Sequence, residues 1–271
     1  MRFFQFALVF VILLPSVTVR AQLTNPTTAG SAGQMMGGIG AVLQEGSTLF
    51  ANPAGICFVE KTQVLLQAEN RFLIGELNAV QAGAILSGPT NHWGIRLRHF
   101  GPQEYNEQEA ALVYARPLGS GLSLGIGAHL RQQRIPEFGT RRIITASLGV
   151  QMILLPELTL GAMLFNPIRQ EVTPGEYVPT FLAVGARYQP SPQVAIFMEV
   201  EKDIDFTARF KAGIRYFLGD VLTLRTGIRT QPTQFSFGIG VPVGEFLVID
   251  VGAWQHQQLG ISPLFNLSYI W

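Results

Sequence analysis

The residues able to do chemistry are few and scattered. The chain has four histidines, His92, His99, His129 and His256, and they fall on different predicted strands or loops with no metal-ligand spacing among them. No metal site and no cofactor is therefore expected. No Gly-x-x-x-x-Gly-Lys loop is present to cradle a phosphate. The one route to acyl chemistry would pair His129 with a serine on a neighbouring strand, and nothing in the sequence favours it, so the chain reads as a non-enzyme. The single cysteine, Cys57, has no partner for an internal disulfide and reads as a small apolar residue. With a net charge of +1 and only 14% charged residues, a nucleic-acid partner is not expected.

The charges that do occur are ordered. Arg96 and Arg98, Glu107 and Glu109, Glu199 and Glu201, Arg209 with Lys211 and Arg215, and Arg225 with Arg229 each fall on the face opposite the apolar one. Two readings follow. If that face is enclosed, the cations and carboxylates neutralise one another, because an unpaired charge in a narrow, partly dry space is costly. Alternatively, the cations of this wall attract an acidic headgroup.

The elements that position these charges are strands. Over Gly121 to Arg131, Leu122, Leu124, Ile126, Ala128 and Leu130 alternate with Ser123, Gly125, Gly127, His129 and Arg131. A period of two sustained over such a run fits a strand and not a helix. Tight Gly/Pro-rich links, such as Gly88 to Asn91, Leu118 to Gly121 and Pro242 to Glu245, alternate with connections that are mostly longer or more polar: 72–76, 101–107, 132–141, 166–177, 203–205, 230–233 and 255–260. Six tight links and seven longer ones predict about 14 antiparallel strands. Short turns at one rim and long loops at the other are the asymmetry of a bacterial outer-membrane barrel with both termini on the periplasmic side. A soluble sandwich also alternates. Against it stand aromatics near the segment ends on the apolar face, Trp93, Tyr114, Tyr188, Tyr216, Tyr269 and Trp271, where interfacial girdles sit. The final segment puts Phe265, Leu267, Tyr269 and Trp271 on one face and Asn266 and Ser268 on the other, the ending of an outer-membrane strand and the expected assembly signal.

The organisation expected is a signal peptide over 1–21, an N-terminal hatch or plug over 22–60 and the barrel over 61–271. The leader has Arg2, an apolar run from Phe3 to Leu14 and a small-x-small site ending at Ala21. That run is too short for a helical span, which needs roughly 20 apolar residues. Residues 22–57 do not alternate. A glycine-rich stretch containing Gly37, Gly38 and Gly40 leads to Asn52-Pro53-Ala54 just before the first strand. Such small residues let a peptide pack closely against an inner wall, and Pro53 sets a rigid turn. The bland alternative is a disordered leader.

In this glycine-rich segment and its Asn-Pro-Ala motif the chain resembles the long-chain fatty acid outer-membrane transporter (FadL-like) family and its PorV/PorQ-like relatives in type IX secretion. The match covers about 25 residues. The resemblance implies a 14-stranded barrel with a lumenal hatch, and passive passage of small hydrophobic or amphipathic molecules. Its alternative is an accessory or shuttle barrel for secreted proteins. Expected partners are outer-membrane lipid, the barrel assembly machinery, and a small hydrophobic ligand or a secreted protein. No substrate-contacting residue carries over, and the chain departs from the fatty-acid transporters in its shorter length and modest loops.

Overall fold

The computed structural model describes residues 29–137, 139–173 and 176–271. The leader expected over 1–21 and the first residues of the segment after it lie outside the described residues. From Gln63 onward the chain is an antiparallel meander of 14 strands closed into a barrel. In chain order these are β1 (Gln63–Asn70), β2 (Asn78–Leu86), β3 (His92–Phe100), β4 (Asn106–Pro117), β5 (Leu122–Ile135), β6 (Gly139–Leu155) and β7 (Leu158–Phe165). A small hairpin of β8 (Glu171–Thr173) and β9 (Glu176–Tyr177) follows in a loop. The wall resumes with β10 (Phe181–Ser191), β11 (Val194–Asp203), β12 (Arg209–Leu218), β13 (Leu222–Arg229), β14 (Gln234–Val243), β15 (Leu247–His256) and β16 (Gly260–Ile270). Strand β16 closes on β1 in the register Gln63↔Ile270 to Glu69↔Leu264, and the Trp271 amide donates to the Thr62 carbonyl.

The period of two decides which side chain faces where. On β3, His92, Arg96, Arg98 and Phe100 point inward and are buried, while Trp93, Ile95, Leu97 and His99 are exposed on the outer face. On β12, Lys211 and Arg215 point inward and Phe210, Ile214 and Tyr216 outward. The outer face is an apolar belt, and the inner face carries the charges, most of the polar side chains and many glycines, with apolar patches around Leu65, Ile85 and Val113 and around Met163, Phe165 and Phe181 where it meets the plug and a loop. Phe265, Tyr269 and Trp271 are exposed on the outside, Leu267 shares their face, and Asn266 and Ser268 are buried inside.

All six short turns lie at one rim and the seven other connections at the opposite rim. The outward tryptophans and tyrosines of the wall gather at the short-turn rim, where Trp93 packs on Tyr114 with ring centroids 4.6 Å apart and Tyr269 on Trp271 at 5.4 Å. Two boundaries differ from the sequence reading. Most of 132–141 is strand, since β5 runs to Ile135 and β6 begins at Gly139. The segment 166–177 carries the β8–β9 hairpin. The alternation fails there because Gln132, Gln133 and Arg134 face Arg142, Arg141 and Thr140, so both faces are polar.

Candidate functional site

The lumen is occupied by the chain's own N-terminal segment. Between Ala29 and Val59 nearly every residue is buried, in three short helical turns: Ser31–Gln34, Gly46–Phe50 and Pro53–Phe58. Its local folding follows from the residues identified in the sequence. Gly37 and Gly38 take φ of +76° and +83°, which turns the chain sharply after the first helical turn. Asn52 caps the last turn, accepting from the Ala54 amide at 3.0 Å, and Pro53 occupies its first position.

Hydrogen bonds tie this plug to most of the wall. The Gly40 and Ala41 amides both donate to Glu199 Oε2 at 2.7 Å. Lys211 Nζ bridges Glu199, Glu201 and the Gly38 carbonyl at 2.7, 2.8 and 2.8 Å. The Gly37 amide donates to Ser236 Oγ at 2.7 Å, and Asn52 Nδ2 donates to the carbonyls of Ala41, Val150 and Ala162. Arg96 reaches the Leu49 carbonyl at 3.4 Å. Several partners carried no motif and were missed in the sequence. Gln151, fully buried, donates to the Ala41 and Leu43 carbonyls, and Gln67 accepts from the Ser31 amide. Their signal was a polar residue at inward parity.

Close approach is set by glycine. Inward-facing Gly83, Gly94, Gly125, Gly149, Gly161, Gly213, Gly227 and Gly238 stand where an added Cβ would collide with plug atoms. At Gly149 it would meet Asn52 Oδ1 and, at 2.9 Å, Pro53 Cδ; at Gly213 it would meet Met36 Cβ at 2.7 Å. Paired registers such as Gly125↔Gly149 and Gly213↔Gly227 make this a belt around the inner wall.

The lumenal charges form separate clusters. Glu109 takes Arg96 at 2.6 Å and Arg131 at 3.2 Å, and Arg98 faces Glu107 at 3.7 Å. Glu201 holds Arg209 at 3.0 Å as well as Lys211. Towards the short-turn rim, Glu45 of the plug pairs with Arg225 at 3.0 Å and Arg215 at 3.6 Å, and Arg225 also takes Asp250 at 2.5 Å. Burial raises the Glu45 carboxyl, but the Arg225 and Arg215 guanidiniums outweigh it and hold the group below the usual carboxylate range. Arg229 makes no ion pair among the described residues and stands over the Trp254 ring, 5.8 Å from its centroid. The basic wall is thus largely matched by carboxylates, with Arg229 as the exception.

Two constellations resemble nucleophile sites and fail on geometry. Ser147 Oγ is 2.9 Å from His129 Nε2, and His129 Nδ1 is 3.4 Å from Glu109 Oε1. Arg96 Nη2 also lies 3.0 Å from that Nδ1. A guanidinium only donates, so Arg96 competes with Glu109 for the ring nitrogen that a triad carboxylate must orient, and His129 and Ser147 are both buried, which leaves a substrate no access to the pair. The string Gly121-Leu122-Ser123-Leu124-Gly125 spells a Gly-x-Ser-x-Gly motif that the sequence reading passed over. It enters a strand with no strand-to-helix elbow, and Ser123 Oγ donates to the Ala54 carbonyl of the plug at 3.2 Å. The four histidines come to no common point, and no group of acids, histidines and cysteine among the described residues could hold a metal. Burial pushes the Cys57 thiol up to about 11, so it stays protonated.

Between the plug and the long-loop rim the lumen has an apolar stretch. Phe165 and Phe181 stack with centroids 5.4 Å apart, beside Ile143 and Met163, with Ala41 of the plug among them. Val178 covers this patch from the β7–β10 loop, held by Asn166 Nδ2 donating to its carbonyl at 2.9 Å. On the opposite wall the β1–β2 loop sends Phe72 onto Trp254, centroids 5.3 Å apart, above Met35 of the plug.

No protein-family model matches the chain, and no curated protein matches it. Among solved structures it is similar to the toluene transporter TbuX of Ralstonia pickettii, at 11% identity over 92% of this chain and 100% of that one, with a TM-score of 0.73. It is also similar to the CymD monoaromatic hydrocarbon channel, at 14% identity over 91% and 98% of the two chains and a TM-score of 0.69. A FadL homologue of Pseudomonas aeruginosa aligns at 11% identity over 90% and 98%, with a TM-score of 0.65. At these identities the likeness establishes a shared fold.

Proposed function

We propose that this chain is an outer-membrane channel through which small hydrophobic molecules pass passively, with the N-terminal segment as its hatch. The observation that carries the reading is the stacked Phe165–Phe181 patch between the plug and the loop rim, an apolar site beneath Val178 of the loop and matched on the opposite wall by Phe72 and Trp254. Such a patch favours an uncharged, aromatic-sized molecule that loses little by leaving water. The apolar outer belt supports membrane residence. The neighbours named for toluene and monoaromatic hydrocarbons support the ligand class, and no energy-coupling motif is present in the sequence. The plug is held by hydrogen bonds, ion pairs and apolar packing, with no covalent cross-link to the lumenal wall among the described residues, so its displacement is a non-covalent step. The secretion-shuttle alternative draws no support from any feature among the described residues.

The test is flux into asymmetric vesicles whose outer leaflet is a phosphorylated glycolipid, a poor solvent for hydrocarbons. Toluene should enter faster with protein than without, glucose should not, and deleting Ser31 to Gly46 should admit both and raise ion conductance in planar bilayers. Equal toluene and glucose flux through the intact protein, or no protein-dependent toluene flux, overturns the reading.

A further inference from the structure

The outer face carries a site that the channel reading leaves unused. Across β2 to β6 the outward side chains form two rows in register. One is apolar with two small members, Ala82↔Leu97, Leu97↔Ala110, Ala110↔Leu130 and Leu130↔Ile144. The next row towards the long-loop rim begins at Val80 on β2 and is polar from β3 to β6: Val80↔His99, His99↔Gln108, Gln108↔Gln132 and Gln132↔Arg142. The small side chains of Ala82 and Ala110 leave a groove of about 450 Å³ walled by Leu97 and Leu130, and its end is lined by His99, Gln108 and Gln132.

Cations crown this groove. Arg142 Nε donates to Gln132 Oε1 at 3.0 Å, which fixes the side chain along the polar row, and its two terminal nitrogens have no hydrogen-bond partner among the described residues. Arg134 lies one row further out, paired in register with Thr140 on the same face. Both arginines are exposed and neither makes an ion pair among the described residues. The nearest loop acids in sequence are Glu104 and Glu137, both exposed at loop positions. Strands β5 and β6, with 14 and 17 residues, are the longest of the barrel, and so carry this basic end beyond the apolar belt.

We infer that this groove binds a phosphate-headed membrane lipid, a phosphorylated glycolipid of the outer leaflet. One acyl chain lies over Ala82 and Ala110, and the phosphate is held by Arg142 and Arg134 with His99, Gln108 and Gln132 donating around it. The apolar floor faces the bilayer and the cations stand at headgroup level, so the charge and the oil meet a lipid in its own orientation. A free anion would use the arginines and leave the groove empty. Each cation at such a surface is worth roughly a fivefold factor in affinity. The inference rests on the membrane residence proposed above, together with the sequence-based expectation that the short turns are periplasmic and the long-loop rim faces outward, and is independent of what passes through the lumen.

The experiment is native mass spectrometry of the full-length protein in phosphatidylcholine nanodiscs, titrated with lipid A carrying its phosphates or stripped of them. One copy of the phosphorylated form should bind, at least about tenfold tighter than the stripped form. The double variant Arg134→Gln/Arg142→Gln should weaken it by about twenty-five-fold, from the fivefold factor for each cation. Ala110→Leu, which fills the groove, should weaken it too, while Lys202→Gln, an exposed cation on β11, should leave it unchanged. Equal binding of the two lipid forms, full competition by millimolar inorganic phosphate, an unchanged double variant, or a second copy of the chain in the groove would each overturn the inference. If a variant does not fold, as read by the heat-dependent gel shift of a barrel, the comparison of the two lipid forms on the native protein still decides. Failure of the toluene flux leaves this result untouched, so the two readings fail separately.

Discussion

Glu199 carries two backbone amides of the plug on one carboxylate oxygen and a lysine on the other, so a side chain of the wall is tied by charge-assisted bonds to the backbone of a glycine-rich turn. Charge-assisted bonds of this kind are about twice as strong as neutral ones. The fit around them depends on missing side chains. Gly149→Ala places a methyl against Asn52 and Pro53, and overpacking of a tight contact costs about 1–3 kcal/mol. The expected result is faster proteolysis of the N-terminal segment with an unchanged barrel gel shift, while Gly75→Ala, whose added Cβ meets nothing, behaves as wild type. Glu45 gives a pH dependence. Its carboxyl is held below the ordinary value of about 4.3, so its contribution to docking is present above that pH and is lost as pH falls through the lowered folded-state value. Conductance of the intact protein should therefore rise on acidification below about pH 4, and Glu45→Gln should raise it at neutral pH and flatten that rise. Of these residues the sequence showed Asn52, Pro53 and the lumenal charges, because motif and parity mark them. It did not show Gln151 or Glu45, since a polar residue among apolar ones has no pattern of its own until its facing is known.

The strands were legible because a wall between lipid and plug imposes one rule on every second residue, and β3, β12 and β16 obey it without exception in their central parts. The rule lapses where the wall leaves the belt, which is why the β5–β6 tip was read as loop. The plug was legible only as the place where alternation stops. Its three turns and its path are fixed by long-range hydrogen bonds that no local window contains. The gathering of Trp93, Tyr114, Tyr216, Tyr269 and Trp271 at the short-turn rim places that rim at a membrane interface. With the proposed periplasmic orientation of the short turns, cysteine at Ser120 should be shielded from an impermeant maleimide in intact cells and cysteine at Glu137 should label. Native Cys57, protonated and half-buried, should stay silent. Labelling of Ser120→Cys and not of Glu137→Cys would invert the topology.

At the scale of the molecule, the plug makes contacts that span almost the whole chain: Met36 meets Gly227, Met35 meets Gly238, and Ser31 touches the Phe265 carbonyl across 234 residues. The barrel closes between β1 and β16, the two strands beside the point where the plug enters the wall. A chain in which residues 29–59 must find partners on nearly every later strand has a high contact order, and such folds assemble slowly because loop closure precedes any reward. The glycine belt sharpens this. A wall completed first would present no gap wide enough to admit the plug into its tight seat from the side, whereas strands laid down around the plug meet it one glycine at a time. The plug is then seated while the wall curls round it, in a barrel whose own ladder from β1 to β16 still closes when the segment is removed.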